Sequence, residues 1–143
     1  MAHPCTRCFD RFRGDHSGAV AIEFMLIAPI LFALLLGIIT LGYFVGISHS
    51  VSQLATGAAR VSVTGLDQAE RESLAETYLA QAGSRYPLLA TDALTSTVTF
   101  DGTDPAGITV KVVYSVDGSL LDVANGFLGL GITNINGSAY LAY

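Results

Sequence analysis

From Phe24 to Ile47 the chain runs for 24 residues without a charged side chain, and most of them are apolar. At about 1.5 Å per residue a helix of that length covers roughly 36 Å, enough to cross a hydrocarbon core of about 30 Å with some tilt. The overall composition is too apolar for a plain soluble protein, and the surplus sits in this one stretch. A cleaved secretory signal has an apolar core of only about 7–15 residues, followed by a small-x-small cleavage site. Nothing of that kind follows Ile47, so the segment reads as a retained membrane helix.

Charge orients it. Arg7, Arg11 and Arg13 precede the helix, and no Lys or Arg follows before Arg60. The positive-inside rule then keeps the N-terminus in the cytoplasm and translocates the C-terminus. Beyond Arg60 there are nine acids against Arg71, Arg85 and Lys111. That balance argues against a nucleic-acid partner, because phosphate binding needs clustered Lys and Arg. The acids read as a solvated surface.

Glu23 stands at the membrane-entering end of the apolar run. Inserting a comparable acid at mid-helix costs about 2.5–3.5 kcal/mol on insertion scales, so a carboxylate there calls for a partner. The sequence around it is Gly18-Ala19-Val20-Ala21-Ile22-Glu23-Phe24.

Residues 1–18 form a polar, Arg-bearing leader, 19–47 the membrane helix with Pro29 inside it, and 48–143 a distal domain. Pro29 is expected to loosen or kink the helix, which membrane helices tolerate. From Ser48 to Val63 the helix is expected to continue, with Val51, Leu54, Ala55, Ala58 and Ser62 on one face. A second helix starts near Asp67, an N-cap with Glu70 three residues on as in a capping box. Its apolar stripe is Leu74, Ala75, Tyr78, Leu79 and Ala82, and Arg71, Glu72 and Glu76 take the outer face. Gly83 is expected to stop it, and Tyr86-Pro87 excludes further helix.

The period then changes to two. Val98 and Phe100 alternate with Thr97 and Thr99, a turn spans 101–107, and Ile108, Val110, Val112, Tyr114 and Val116 share one face of a second strand. Leu120 to Leu130 reads as a short helix or a packed loop. Asn136-Gly137 reads as a bulge or tight turn before a last strand over 138–143. The fold class is α+β: a long N-terminal transmembrane helix continuing into a small domain in which amphipathic helices pack on an antiparallel sheet.

Catalytic and metal-binding signals are sparse. Cys5-Thr-Arg-Cys8, with His3 and His16 nearby, has CxxC spacing but neither a second ligand pair nor a βαβ context, and reads as two reduced thiols in the leader. No cysteine lies beyond residue 8, so the distal domain relies on its core rather than on a disulfide. His49 between Ser48 and Ser50 has no orienting third group, and adjacent helical residues point apart. Arg60 reads as solvated, and Asn136-Gly137-Ser138 as turn chemistry rather than a glycosylation acceptor. No metal, cofactor or enzymatic activity is expected. Gly42 and Gly46, four residues apart in the membrane helix, are candidate helix-packing positions, because small residues let another backbone approach.

The Arg-bearing leader, Gly18, four small or apolar residues, Glu23-Phe24 and the long apolar run together resemble the type IV pilin signal. The pattern looks most like the TadE-like minor pilins, or pseudopilins, of the tight-adherence (Tad/Flp) pilus system. Gly57-Ala58-Ala59-Arg60 after the membrane and the helix-then-strands order are also similar to that family. The resemblance implies cleavage after Gly18 by a membrane-embedded prepilin peptidase, with Ala19 as the processed amino terminus. It implies that Glu23 pairs with the free amine of a neighbouring subunit, which fixes axial register. Phe24 stands where major pilins of this type commonly have tyrosine, and the distal domain is larger than theirs; both features favour a minor subunit. The implied partners are the peptidase, other pilin and pseudopilin subunits, the Tad inner-membrane assembly platform and the lipid bilayer. The implied place is the bacterial inner membrane, with a periplasmic C-terminus and incorporation in a pilus. The rival expectation is an unprocessed single-pass binding protein whose periplasmic domain docks a soluble partner or an envelope polymer.

Overall fold

A computed structural model describes residues 17–102 and 105–143. Residues 1–16 of the leader, with Cys5, Cys8, His3, His16 and its three arginines, lie outside the described residues, as do two residues of the 101–107 turn. Two compact units divide the chain, Met1–Ile39 and Thr40–Tyr143. Helix α1, Ser17–Ser62, contributes to both and continues through Pro29.

In the first unit nearly every described side chain of α1 is exposed, including Val20, Phe24, Leu31 and Leu36. The helix is long and apolar enough to cross a membrane by length and composition.

In the second unit α1 changes character. Val51, Leu54, Ala55, Ala58 and Ser62, the face picked out by helical spacing, are all buried. They join Ile47 and Ala59 in the core. Helix α2 spans Gln68–Ala80; the Asp67 carboxylate accepts the Glu70 backbone N–H at 2.8 Å. The Glu70 carboxylate reaches back one residue further than a standard capping box, to the N–H of Leu66 at 2.8 Å. A four-residue helix, α3, follows over Ala82–Arg85. Gly83 thus lies inside a further helical turn instead of ending the helical region. The chain leaves helix at Tyr86, where Pro87 follows. A 3₁₀ turn at Thr91–Ala93 leads into the sheet.

Strands β1 (Leu94–Asp101), β2 (Gly107–Ser115) and β3 (Asn134–Ala142) form an antiparallel sheet in the order β1-β2-β3. Central strand β2 buries Ile108, Val110, Val112 and Tyr114, and Val116 just beyond it is buried too. Cross-strand partners continue that face, with Val98 opposite Val110, Phe100 opposite Ile108, and Ile135 opposite Tyr114. The apolar segment after β2 is helical: α4 covers Leu120–Leu128, capped by the Ser119 hydroxyl accepting from the Leu121 N–H.

Two expectations are corrected here. Asn136-Gly137 is neither bulge nor turn: both residues sit in β3, Gly137 paired with Val112 and Asn136 with Val113. The reason is tertiary. A Cβ on Gly137 would lie 2.9 Å from the carbonyl carbon, carbonyl oxygen and Cγ1 of Val51, so α1 lies directly on the strand backbone there. Arg71 is not on the outer face. Its guanidinium stacks 3.9 Å from the Tyr143 ring centroid, and its Nε is buried without a hydrogen-bond partner. Its carbonyl accepts from the buried Ser62 hydroxyl at 2.9 Å. A cation over an aromatic face is attracted by the ring quadrupole, which offsets part of that desolvation.

A Gly137→Ala chain in detergent should lose about 1–3 kcal/mol of stability, the usual range for overpacking. Gly126→Ala is the control, because a Cβ there meets nothing within 4 Å. Chemical denaturation that ranks Gly137→Ala equal to or above the control would refute the close contact.

Candidate functional site

Two places carry the residues singled out by the sequence, one in each unit. In the first, Gly18 and Ala19 belong to the opening turn of α1. Ala19 and Glu23 are four residues apart, so they lie on one face about 5–6 Å apart at their Cβ atoms. Val20, Ile22, Phe24 and Met25 surround Glu23 in sequence, and all are more than half exposed. Glu23 is itself exposed, and among the described residues no hydrogen-bond or ion-pair partner reaches it. It is a carboxylate within a belt of exposed apolar side chains.

The glycine pair splits. A Cβ on Gly42 would meet nothing within 4 Å, whereas one on Gly46 would lie 3.2 Å from the Leu88 side chain of the same chain. Gly42 is therefore open to an approaching helix, and Gly46 is already covered.

The second place is a polar groove in the distal unit, about 440 Å³ in volume. His49, Gln53, Thr56 and Arg60 descend one side of α1 at helical spacing, and Tyr78 and Tyr86 close the other side. A nitrogen of the His49 ring and the Gln53 amide nitrogen lie 2.6 Å apart. Gly57 lets the Tyr78 phenol rest directly on the helix, since a Cβ there would collide with it. Tyr78 and Tyr86 share a hydrogen bond, and the Arg85 guanidinium stands 4.5 Å from the Tyr78 ring centroid. The isolated readings of His49 and Arg60 missed this grouping. The signal was present as a polar stripe at 49, 53, 56 and 60 on the side of the helix away from its apolar face. Its chemistry is polar contact: His49 pairs with an amide, not with the carboxylate that orients a catalytic imidazole. Among the described residues no three His, Cys, Asp or Glu side chains converge as a metal site.

The match to known families falls on α1. Residues 18–60 match the model of the family described as TadE-like protein. This segment is TadE-like. It opens on Gly18, closes on Arg60, and contains Ala19, Glu23, Phe24, Gly42 and Gly46. The TadE-like segment is less than a third of the chain and includes none of the sheet. No curated protein and no solved structure matches the chain.

The groove beside the TadE-like segment makes a pH prediction. Burial, and then the hydrogen bond with Tyr78, raise the Tyr86 phenol above its ordinary 10.0, while Arg85 works weakly the other way. A raised phenol keeps its proton longer in the folded state than in the unfolded one. Its contribution is fully present below 10.0 and is lost as pH rises through the folded value. Tyr86→Phe should therefore flatten the fall in melting temperature above about pH 10. Identical slopes for the two chains would contradict the assignment.

Proposed function

We propose that the chain is a non-enzymatic minor pilin or pseudopilin that helps to assemble or anchor a tight-adherence pilus. The observation that carries this reading is the TadE-like match starting at Gly18, on a lipid-length helix whose first carboxylate, Glu23, has no partner among the described residues. In this reading a prepilin peptidase cuts after Gly18 on the cytoplasmic side of the inner membrane. Ala19 then carries a free ammonium, and Glu23 of one subunit pairs with that group on a neighbour. An isolated buried charge is costly, but an opposite charge in contact offsets much of the cost and fixes the axial offset between helices. Phe24 lies on the exposed apolar surface of the same turn, where it packs against lipid or a neighbouring helix. Gly42 offers a second point of close helix approach further along the span. The distal α+β unit stands in the periplasm, where the assembly platform and other pilins meet it.

In cells holding the peptidase, the mature protein should have the intact mass of a chain beginning at Ala19. Gly18→Val should keep the full-length mass and leave the protein in the membrane. A wild-type mass that includes the leader would reduce the protein to an ordinary single-pass tether. Separately, Glu23→Gln should insert and be cleaved normally but reduce pilus number at least tenfold by electron microscopy, since about 1.4 kcal/mol per contact already gives a factor of ten. Wild-type piliation in that strain would remove the register role.

A further inference from the structure

In the distal unit Leu41, Val45, Leu88 and Leu120 are apolar side chains left outside the core near one level of α1, while Leu66, beyond the C-terminal end of α1, and Tyr140 in β3 are exposed as well. Leu88 rests on Gly46, its Cδ1 being 3.2 Å from where a Cβ would stand. Tyr43, Leu88, Leu89, Tyr114 and Leu120 line one open cleft beside this contact, and the Tyr43 and Tyr114 side chains share a hydrogen bond. On α1 itself Leu41 and Val45 are exposed here. This is the level at which the apolar run ends, at Ile47, before Ser48, His49 and Ser50. A tyrosine at that depth matches the aromatic belt of a membrane–water interface.

Helix α4 starts in this cleft and carries an apolar face that nothing among the described residues covers. Leu120, Val123 and Phe127 fall on successive turns of one side, and Phe127 is 83% exposed. The other side is fixed: Leu121 is fully buried, and the Asn125 side-chain amide both donates to the Ile132 carbonyl and accepts its N–H. The apolar face therefore cannot roll inward. No Lys or Arg occurs between Val112 and Tyr143, so attraction to an anionic surface does not explain the patch. Asp122 lies on the flank away from the apolar face.

We propose that α4, together with Leu88, is an interfacial helix that rests on the lipid headgroup–acyl boundary of the leaflet from which α1 emerges. Continuity chooses lipid as the occupant. The cleft at the start of α4 lies beside the α1 residues where the lipid-length apolar surface ends. A helix tethered at that depth meets the bilayer at high effective concentration and needs no basic residues to bind it. The contact would fix the tilt and rotation of the distal unit on the membrane before any partner arrives. The inference rests on α1 spanning the bilayer, as in the reading above.

The chain has no tryptophan, so single-Trp variants report one place each. The full chain is reconstituted in phosphatidylethanolamine–phosphatidylcholine vesicles containing lipids brominated near the headgroup end of the acyl chain. Phe127→Trp, and Leu88→Trp as a second probe should the first fail to fold, should be quenched at least about two-fold more than Glu72→Trp. Glu72 is exposed in the first turns of α2, next to Arg71, which packs on Gly65 beyond the far end of α1. Leu35→Trp with lipids brominated mid-chain tests the span itself. Quenching of Leu35→Trp without quenching of the two patch probes overturns the interfacial helix and leaves the span standing. Loss of all quenching overturns both. Blue-shifted emission of Phe127→Trp that vanishes on dilution to single copies per vesicle marks a protein partner and also overturns the proposal.

Discussion

The contact of Val51 with Gly137 sets the geometry of the distal unit. A helix usually rests on side chains that hold it about 10 Å from a sheet, but here one strand position has no side chain at all and the helix backbone settles onto it. Small residues of α1, Ala55, Ala58 and Ala59, extend that close approach and are fully buried. The α1 face at 51, 54, 55 and 58 thereby becomes the cover of the sheet. Helix α2 is left to a supporting role: it meets β1, sets Tyr78 on Gly57 of α1, and stacks Arg71 on Tyr143 just beyond β3.

One helix therefore serves two environments. Up to Val45 its apolar side chains are mostly exposed, and from Ile47 onward its apolar face is taken up by the core. Proteins in water rarely leave such a length of apolar surface uncovered, and the helix is long and apolar enough to cross a membrane. Within that surface Glu23 is the exception. In the proposed reading its cost is offset by a cation, the amino terminus that cleavage after Gly18 would release on a neighbouring subunit. A family match that begins at Gly18 and ends at Arg60 follows the same helix through both environments.

Much of this was legible in the residues. The buried face of distal α1 and the alternating face of β2 were readable because each follows a strict local period, and Asp67 with Glu70 marked the start of α2 by local capping chemistry. What escaped depends on partners distant in sequence. Asn136-Gly137 has turn chemistry locally, yet it lies mid-strand because Val51 needs the space. Arg71 belongs to a polar pattern, yet Tyr143 draws it against the fold. The polar groove was present as a stripe on α1, but only Tyr78 and Tyr86, from other elements, turn the stripe into a cleft. Leu120–Leu130 was ambiguous because apolar, glycine-laced segments suit helix and loop alike; the Ser119 cap and the Asn125 lock decide for helix.

The central claim is that Glu23 is one member of a charge pair formed between subunits. Zero-length carbodiimide coupling of assembled filaments reads it directly, because it joins a carboxylate to an amine only where the two are in contact. Peptide mass mapping of filaments grown from mixed light- and heavy-nitrogen cells should find the Glu23 side chain in an amide with the amino terminus of a different subunit. Recovery of Glu23 as a free acid in filaments whose other ion pairs have coupled, or its coupling to a side chain instead, would contradict the account.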